Sequence, residues 1–133
     1  VVAEILQAPD IEGMVVQFLN AQFALRGDTA RAATRYVERP RTVRVGRIGG
    51  PRKNLVVDAP MVLVECWADD SVGASELATL TRSLVWSMPQ RNFSTATVYR
   101  VFETGGLQSF PDPSTNQPRY QFIATIECRI KPI

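Results

Sequence analysis

Apolar positions recur along this chain in two rhythms, and the switches between them divide it into helices and strands. Over residues 10–26, Ile11, Met14, Val15, Phe18, Leu19 and Leu25 fall largely on one face of a 3.6-residue period. Asp10 stands where a carboxylate can cap the first turn, Gly13 weakens that turn, and Gly27-Asp28 ends the segment. A second helix is expected over 71–88. Asp70 or Ser71 caps it, Leu77, Leu80, Leu84 and Met88 recur at spacings of three and four, and Pro89 stops it.

The other segments read as strands. Ala33 to Glu38 is a short one, and Arg41 to Ile48 is clearer, with Val43 and Val45 alternating against Arg44. Pro60 to Ala68 is dense in valine and leucine, as a central strand covered on both faces would be. Thr95 to Thr104 carries Val98, Tyr99, Val101 and Phe102. Arg119 to Ile130 has the cleanest alternation: Tyr120, Phe122, Ala124, Ile126, Cys128 and Ile130 face one way, toward the helices. The order is α-β-β-β-α-β-β. Short connections between consecutive strands imply antiparallel hairpins, so the expectation is an α+β fold: a mainly antiparallel five-stranded sheet with two helices packed on one face. Residues 1–133 are expected to form a single domain.

Composition narrows the functional classes. Apolar residues make up 45% and charged residues 21% of the 133 positions, an ordinary globular balance. Apolar runs such as Met61 to Val64 are short, whereas a bilayer-spanning helix needs about 20 residues, so no membrane crossing is expected. Glu4, Pro9 and Asp10 interrupt any signal-peptide core, and the start at Val1 is read as a residue or two missing. Cys66 and Cys128 fall in strand-like runs, where free cysteines behave as small buried hydrophobes, although two such residues could also bridge. There is no histidine, which removes the Ser-His-Asp and Cys-His nucleophile systems and the commonest metal ligand.

Little else points to chemistry. The loop Gly49-Gly50-Pro51-Arg52-Lys53-Asn54 opens into a strand, whereas a phosphate cradle would open into a helix; it reads as a hairpin tip. Asp69-Asp70 precedes a helix and suits its dipole and cap better than a metal. Glu65, beside Trp67 in an apolar strand, reads as the partner of an arginine on a neighbouring strand; a proton-donor role remains the catalytic alternative. No catalytic residue, cofactor or metal is therefore assigned.

Two segments stand out. Arg31, Arg35, Arg39, Arg41, Arg44, Arg47, Arg52 and Lys53 gather more than half of the 15 cations into one region whose only acid is Glu38. A solvated strand face, a surface meeting acidic patches of neighbouring subunits and a DNA-facing surface all remain open. The second segment is Gly105 to Pro118, a long loop rich in proline and glycine that carries Leu107 and Phe110. It is either an arm that docks on another subunit or a loop folded over its own sheet.

Together these pieces resemble a family. Arg47-Ile48-Gly49-Gly50-Pro51-Arg52-Lys53-Asn54 and on to Pro60, then Val64-Glu65-Cys66-Trp67-Ala68, resemble the middle of tail terminator proteins of actinobacterial siphophages. So do Val98-Tyr99-Arg100-Val101, Gly105-Gly106, Pro111-Asp112-Pro113 and Gln117-Pro118-Arg119-Tyr120-Gln121-Phe122. The likeness covers nearly the whole chain, and its motifs are loops and strand edges, not catalytic signatures.

The resemblance implies a structural virion protein, not an enzyme. It would form a homohexameric ring on the head-proximal end of the tail tube, assembled in the host cytoplasm. Its partners would be the tail tube protein and head–tail connector proteins, with DNA passing through the lumen without sequence-specific binding. Carried onto this chain, subunit or partner contacts would involve Arg47, Gly49, Gly50, Pro51, Arg52, Lys53 and Asn54 in the hairpin, and Leu107, Phe110, Pro111, Asp112, Pro113 and Arg119 at the arm. Arg39, Arg41 and Arg44 are the residues expected toward the lumen or DNA. Alternatives are another connector, completion or minor tail protein, or a small DNA-binding domain using Arg31 to Lys53.

Overall fold

Asp10 accepts a hydrogen bond from the Gly13 amide at 3.1 Å and opens helix α1, Ile11–Leu25. The structure, a computed structural model, describes residues 5–89, 91, 93–94 and 96–131. Glu4 and Thr95, both used in the sequence reading, lie outside the described residues. After α1 come strands β1 (Arg31–Ala33), β2 (Arg41–Gly49), β3 (Val57–Asp58) and β4 (Met61–Ala68). Helix α2 (Ser71–Trp86) follows, capped by Asp70 through the Gly73 amide at 2.7 Å. The chain then forms β5 (Ala96–Glu103), β6 (Gln108–Ser109) and β7 (Arg119–Ile130).

The fold is α+β: two helices and a mixed, mostly antiparallel, curled sheet with five main strands. β7 is its axis. β4 pairs with the first half of β7, and β3 continues the same register beyond the interruption at Ala59-Pro60. Along the other edge of β7 lie β5 and then β6. β2 pairs antiparallel with β4. Bulges between Arg47 and Gly49, and between Val98 and Arg100, add local twist and help to curl the sheet.

One strand departs from expectation. The short strand lies at Arg31–Ala33, not Ala33 to Glu38, and it runs parallel to β2 instead of forming a hairpin with it. The cause is a clamp from α1: Asn20 donates to the Ala32 carbonyl at 3.0 Å and accepts from the Ala32 amide at 2.8 Å. A strand this short spans only about 10 Å, so the connection 34–40 can return along it and start β2 in the same direction. That connection crosses the sheet face away from the helices, where the Tyr36 ring meets Trp67 edge-on at 4.9 Å.

The inward residues of β7 sit where the alternation places them. Phe122, Ala124, Ile126, Cys128 and Ile130 are buried against Ile11, Val15, Leu19 and Phe23 of α1 and Leu77, Ala78, Leu84 and Val85 of α2. Val43, Val45, Val62, Val64 and Cys66 complete the same core. Both cysteines are free and buried, and burial pushes the Cys66 thiol up to about 12 and that of Cys128 to about 11. Among the described residues no helix is long and apolar enough to cross a membrane.

Candidate functional site

The sheet face away from the helices is not left to water. β4 and β7 place Glu65 and Glu127 on it, and the two are only 5% and 2% exposed. A carboxylate so buried needs charged donors, and each has two. Glu65 accepts from Arg44 of β2 at 3.0 Å and from Arg119 of β7 at 2.9 Å, which answers the expected arginine on a neighbouring strand. Glu127 accepts from Arg100 of β5, at 2.9 and 3.2 Å, and from Lys53 of the hairpin. These donors, Arg100 first, hold its carboxyl down to about 2.

The hairpin between β2 and β4 is braced by its own polar groups. Arg47 reaches Asp58 at 3.3 Å and the carbonyls of Gly49 and Gly50 at 3.1 and 3.0 Å, while its amide donates to Glu12 of α1 at 2.8 Å. Gly50 sits at φ +91°, and a Cβ there would lie 2.2 Å from the Ala59 oxygen, so only glycine closes this crossing. The Pro51 carbonyl accepts from the Ala59 amide at 3.2 Å. Arg52 donates to the carbonyls of Asn54, Leu55 and Leu6, and Asn54 accepts from the amides of Val56 and Val57. The result is a knob braced by its own cations, which stay partly exposed while bonding inward. Its outward apolar groups are Ile48 and Leu55, with Ile5 beside the residue that Arg52 tethers.

The arm, 105–118, folds back over its own sheet. β6 pairs with β7, the Phe110 amide donates to the Arg119 carbonyl at 2.9 Å, and Arg119 Nε returns a bond to the Phe110 carbonyl at 2.9 Å. The Arg119 guanidinium lies 5.7 Å from the Trp67 ring centre and 5.2 Å from that of Phe110. Asp112 accepts from Trp67 Nε1 at 3.3 Å and from Ser114, and Tyr36 donates to Gln117 at 3.2 Å. Leu107 packs against the core, whereas Phe110, Pro111 and Pro113 keep exposed surface. The arm is thus a latched ridge with an apolar crest.

The basic stretch separates into two populations. Arg41 binds Asp28 with two bonds, at 2.9 and 2.8 Å, and Arg44 binds Glu65, so two of the three cations expected toward the lumen or DNA have a carboxylate partner within the chain while keeping exposed surface. Arg39 is exposed and, among the described residues, its side chain makes no hydrogen bond or ion pair; the same is true of the side chains of Arg31 and Arg35. These three line one groove of about 440 Å³ between α1 and the 34–40 connection, with Gln17, Val37 and Thr42. Arg31 and Arg35 were visible in the sequence as part of the cluster but not as site residues. The distinguishing signal lies in the acids that the fold brings opposite: Asp28, Glu65 and Asp58 answer Arg41, Arg44 and Arg47, and among the described residues no acid answers Arg31, Arg35 or Arg39.

Among the described residues no group of three histidine, cysteine or acidic side chains is placed to hold a metal ion. What the described residues present is a set of surfaces: the knob, the latched ridge and the arginine groove. No protein-family model matches the chain, and no curated protein matches it either.

Proposed function

We propose that the chain is a tail terminator subunit, a structural virion protein whose copies form a ring, hexameric by resemblance. The ring would cap the head-proximal end of a phage tail tube and join it to the head connector, with DNA passing through its lumen. One observation carries this reading: side chains from the segments that resemble terminators, scattered from residue 47 to 122, meet on the sheet face away from the helices. Lys53 and Arg100 meet on Glu127, Glu65 pairs with Arg119, and Trp67 bonds Asp112. What they build are two braced protrusions with different apolar tips, Leu55 on the knob and Phe110 on the ridge. A head-to-tail ring needs two unlike contact patches on each subunit, and these protrusions are the candidates.

The test is tube polymerisation. Tail tube protein from the same virus, assembled with this chain present, is expected to give tubes of bounded length with added density at one end. Tubes that grow unbounded and carry no end density would count against the reading. A second reading, a small DNA-binding domain, is favoured by the unpaired arginines; it requires duplex binding by a chain that never forms a ring.

A further inference from the structure

We infer that the groove ringed by Arg31, Arg35 and Arg39 is a contact site for the phosphate backbone of DNA. Seven cations have a carboxylate partner: Arg41, Arg44, Arg47, Lys53, Arg82, Arg100 and Arg119. Arg26, Arg52, Arg91 and Lys131 donate to carbonyl or amide oxygens. Among the described residues this leaves the side chains of Arg31, Arg35, Arg39 and Arg129 with no hydrogen bond or ion pair, and the first three share one groove. No carboxylate lines that groove, and Glu38 is the one acid of the connection that borders it, so the three arginines leave a net positive charge there.

Two details select the occupant. β1 is the edge strand here, and a peptide would ordinarily add to such an edge by main-chain pairing. The amide and carbonyl of Ala32 are already held by Asn20, so a strand cannot be added across them. The groove also lacks an aromatic side chain on which a base could stack, and the nearby Tyr36 ring is engaged with Trp67. Always-charged guanidinium groups that need neither main-chain pairing nor a stacked base fit a phosphate backbone read without regard to sequence. The choice of DNA as the polyanion rests on the terminator reading, in which DNA passes the subunit.

The experiment is fluorescence anisotropy of a labelled duplex of roughly 30 base pairs against the purified chain, over a salt series from about 20 to 200 mM. Binding is expected to weaken with salt and to be indifferent to duplex sequence. The triple variant Arg31→Ala, Arg35→Ala, Arg39→Ala is expected to flatten the log–log salt dependence by about 2.7, at about 0.9 per lost phosphate contact. Arg129→Ala, an unpaired cation outside the groove, is expected to leave the slope nearly unchanged. Because the three side chains make no internal bond, the triple variant should melt like the wild type, which checks that it folds. No duplex binding at the lowest salt, or equal slopes for triple variant and wild type, would overturn the inference. So would a polyglutamate peptide that displaces the duplex and depends more strongly on the three arginines, since the occupant would then be an acidic protein. A ring whose DNA binding ignores the groove defeats this inference alone; a chain that binds duplex through the groove and stays a monomer even with tail tube protein defeats the ring alone.

Discussion

Glu65 and Glu127 set the terms at the scale of single residues. Each is a buried carboxylate bonded by two cationic side chains, so removing it strands those partners. Arg119, itself only 9% exposed, loses its carboxylate in Glu65→Gln. We expect that variant to lose about 3 kcal/mol of stability in denaturant unfolding, because an uncompensated buried charge is the main cost; a loss below about 0.5 kcal/mol would show the pair to be idle. Glu127 gives a pH dependence of definite sign. Its carboxyl stays ionised to about 2 in the folded chain, and to only about 4.3 in an unfolded one. Its contribution is thus fully present above about pH 4.3 and is lost as pH falls from there toward 2. Glu127→Gln should therefore lower the melting temperature at pH 7, and the gap to the wild type should close on acidification. A gap that stays constant from pH 7 to 2 would contradict this assignment. The cysteines give a further check. With thiols raised to about 12 and 11 and both side chains buried, neither should react with a disulfide reagent at pH 8 until the protein unfolds.

Between residue and whole lie the elements, and the hairpin is the one most exposed to a single change. Gly50→Ala would force a Cβ into the Ala59 carbonyl at a positive φ, so the knob should open and stability should fall by about 2 kcal/mol or more. Amide exchange confined to 49–60 should report the opening; unchanged exchange would mean that the crossing is slack. The latched ridge is tested by Asp112→Ala, which removes the acceptor of Trp67 Nε1 and should speed exchange across 107–118 without touching the core. How far such elements can be read in advance depends on where their determinants lie. β7 was legible because a twelve-residue alternation carries its own period, and the caps at Asp10 and Asp70 because capping is local. β1 was misplaced by two residues at its start because its position depends on Asn20, far away in sequence. β3 and β6 have no pattern of their own and exist because β7 outruns β4 and β5. Which cations stay free was hidden for the same reason, since Asp28, Glu65 and Asp58 meet their arginines only through register and packing.

On the scale of the whole molecule, the fold brings its unusual segments to the surface in three forms. The knob and the ridge are stiffened by internal bonds, so ordering them against a neighbour would cost little conformational entropy. The groove keeps its charge unspent, which suits a polyanion. That combination is the basis for reading the chain as a repeated subunit around DNA. The direct measurement is the solution mass of the purified protein by light scattering across a concentration series, alone and mixed with tail tube protein. A mass rising toward six subunits, and weakened by Leu55→Asp or Phe110→Asp, is the expected result. A monomer at every concentration that remains a monomer in the presence of tail tube protein would contradict the ring.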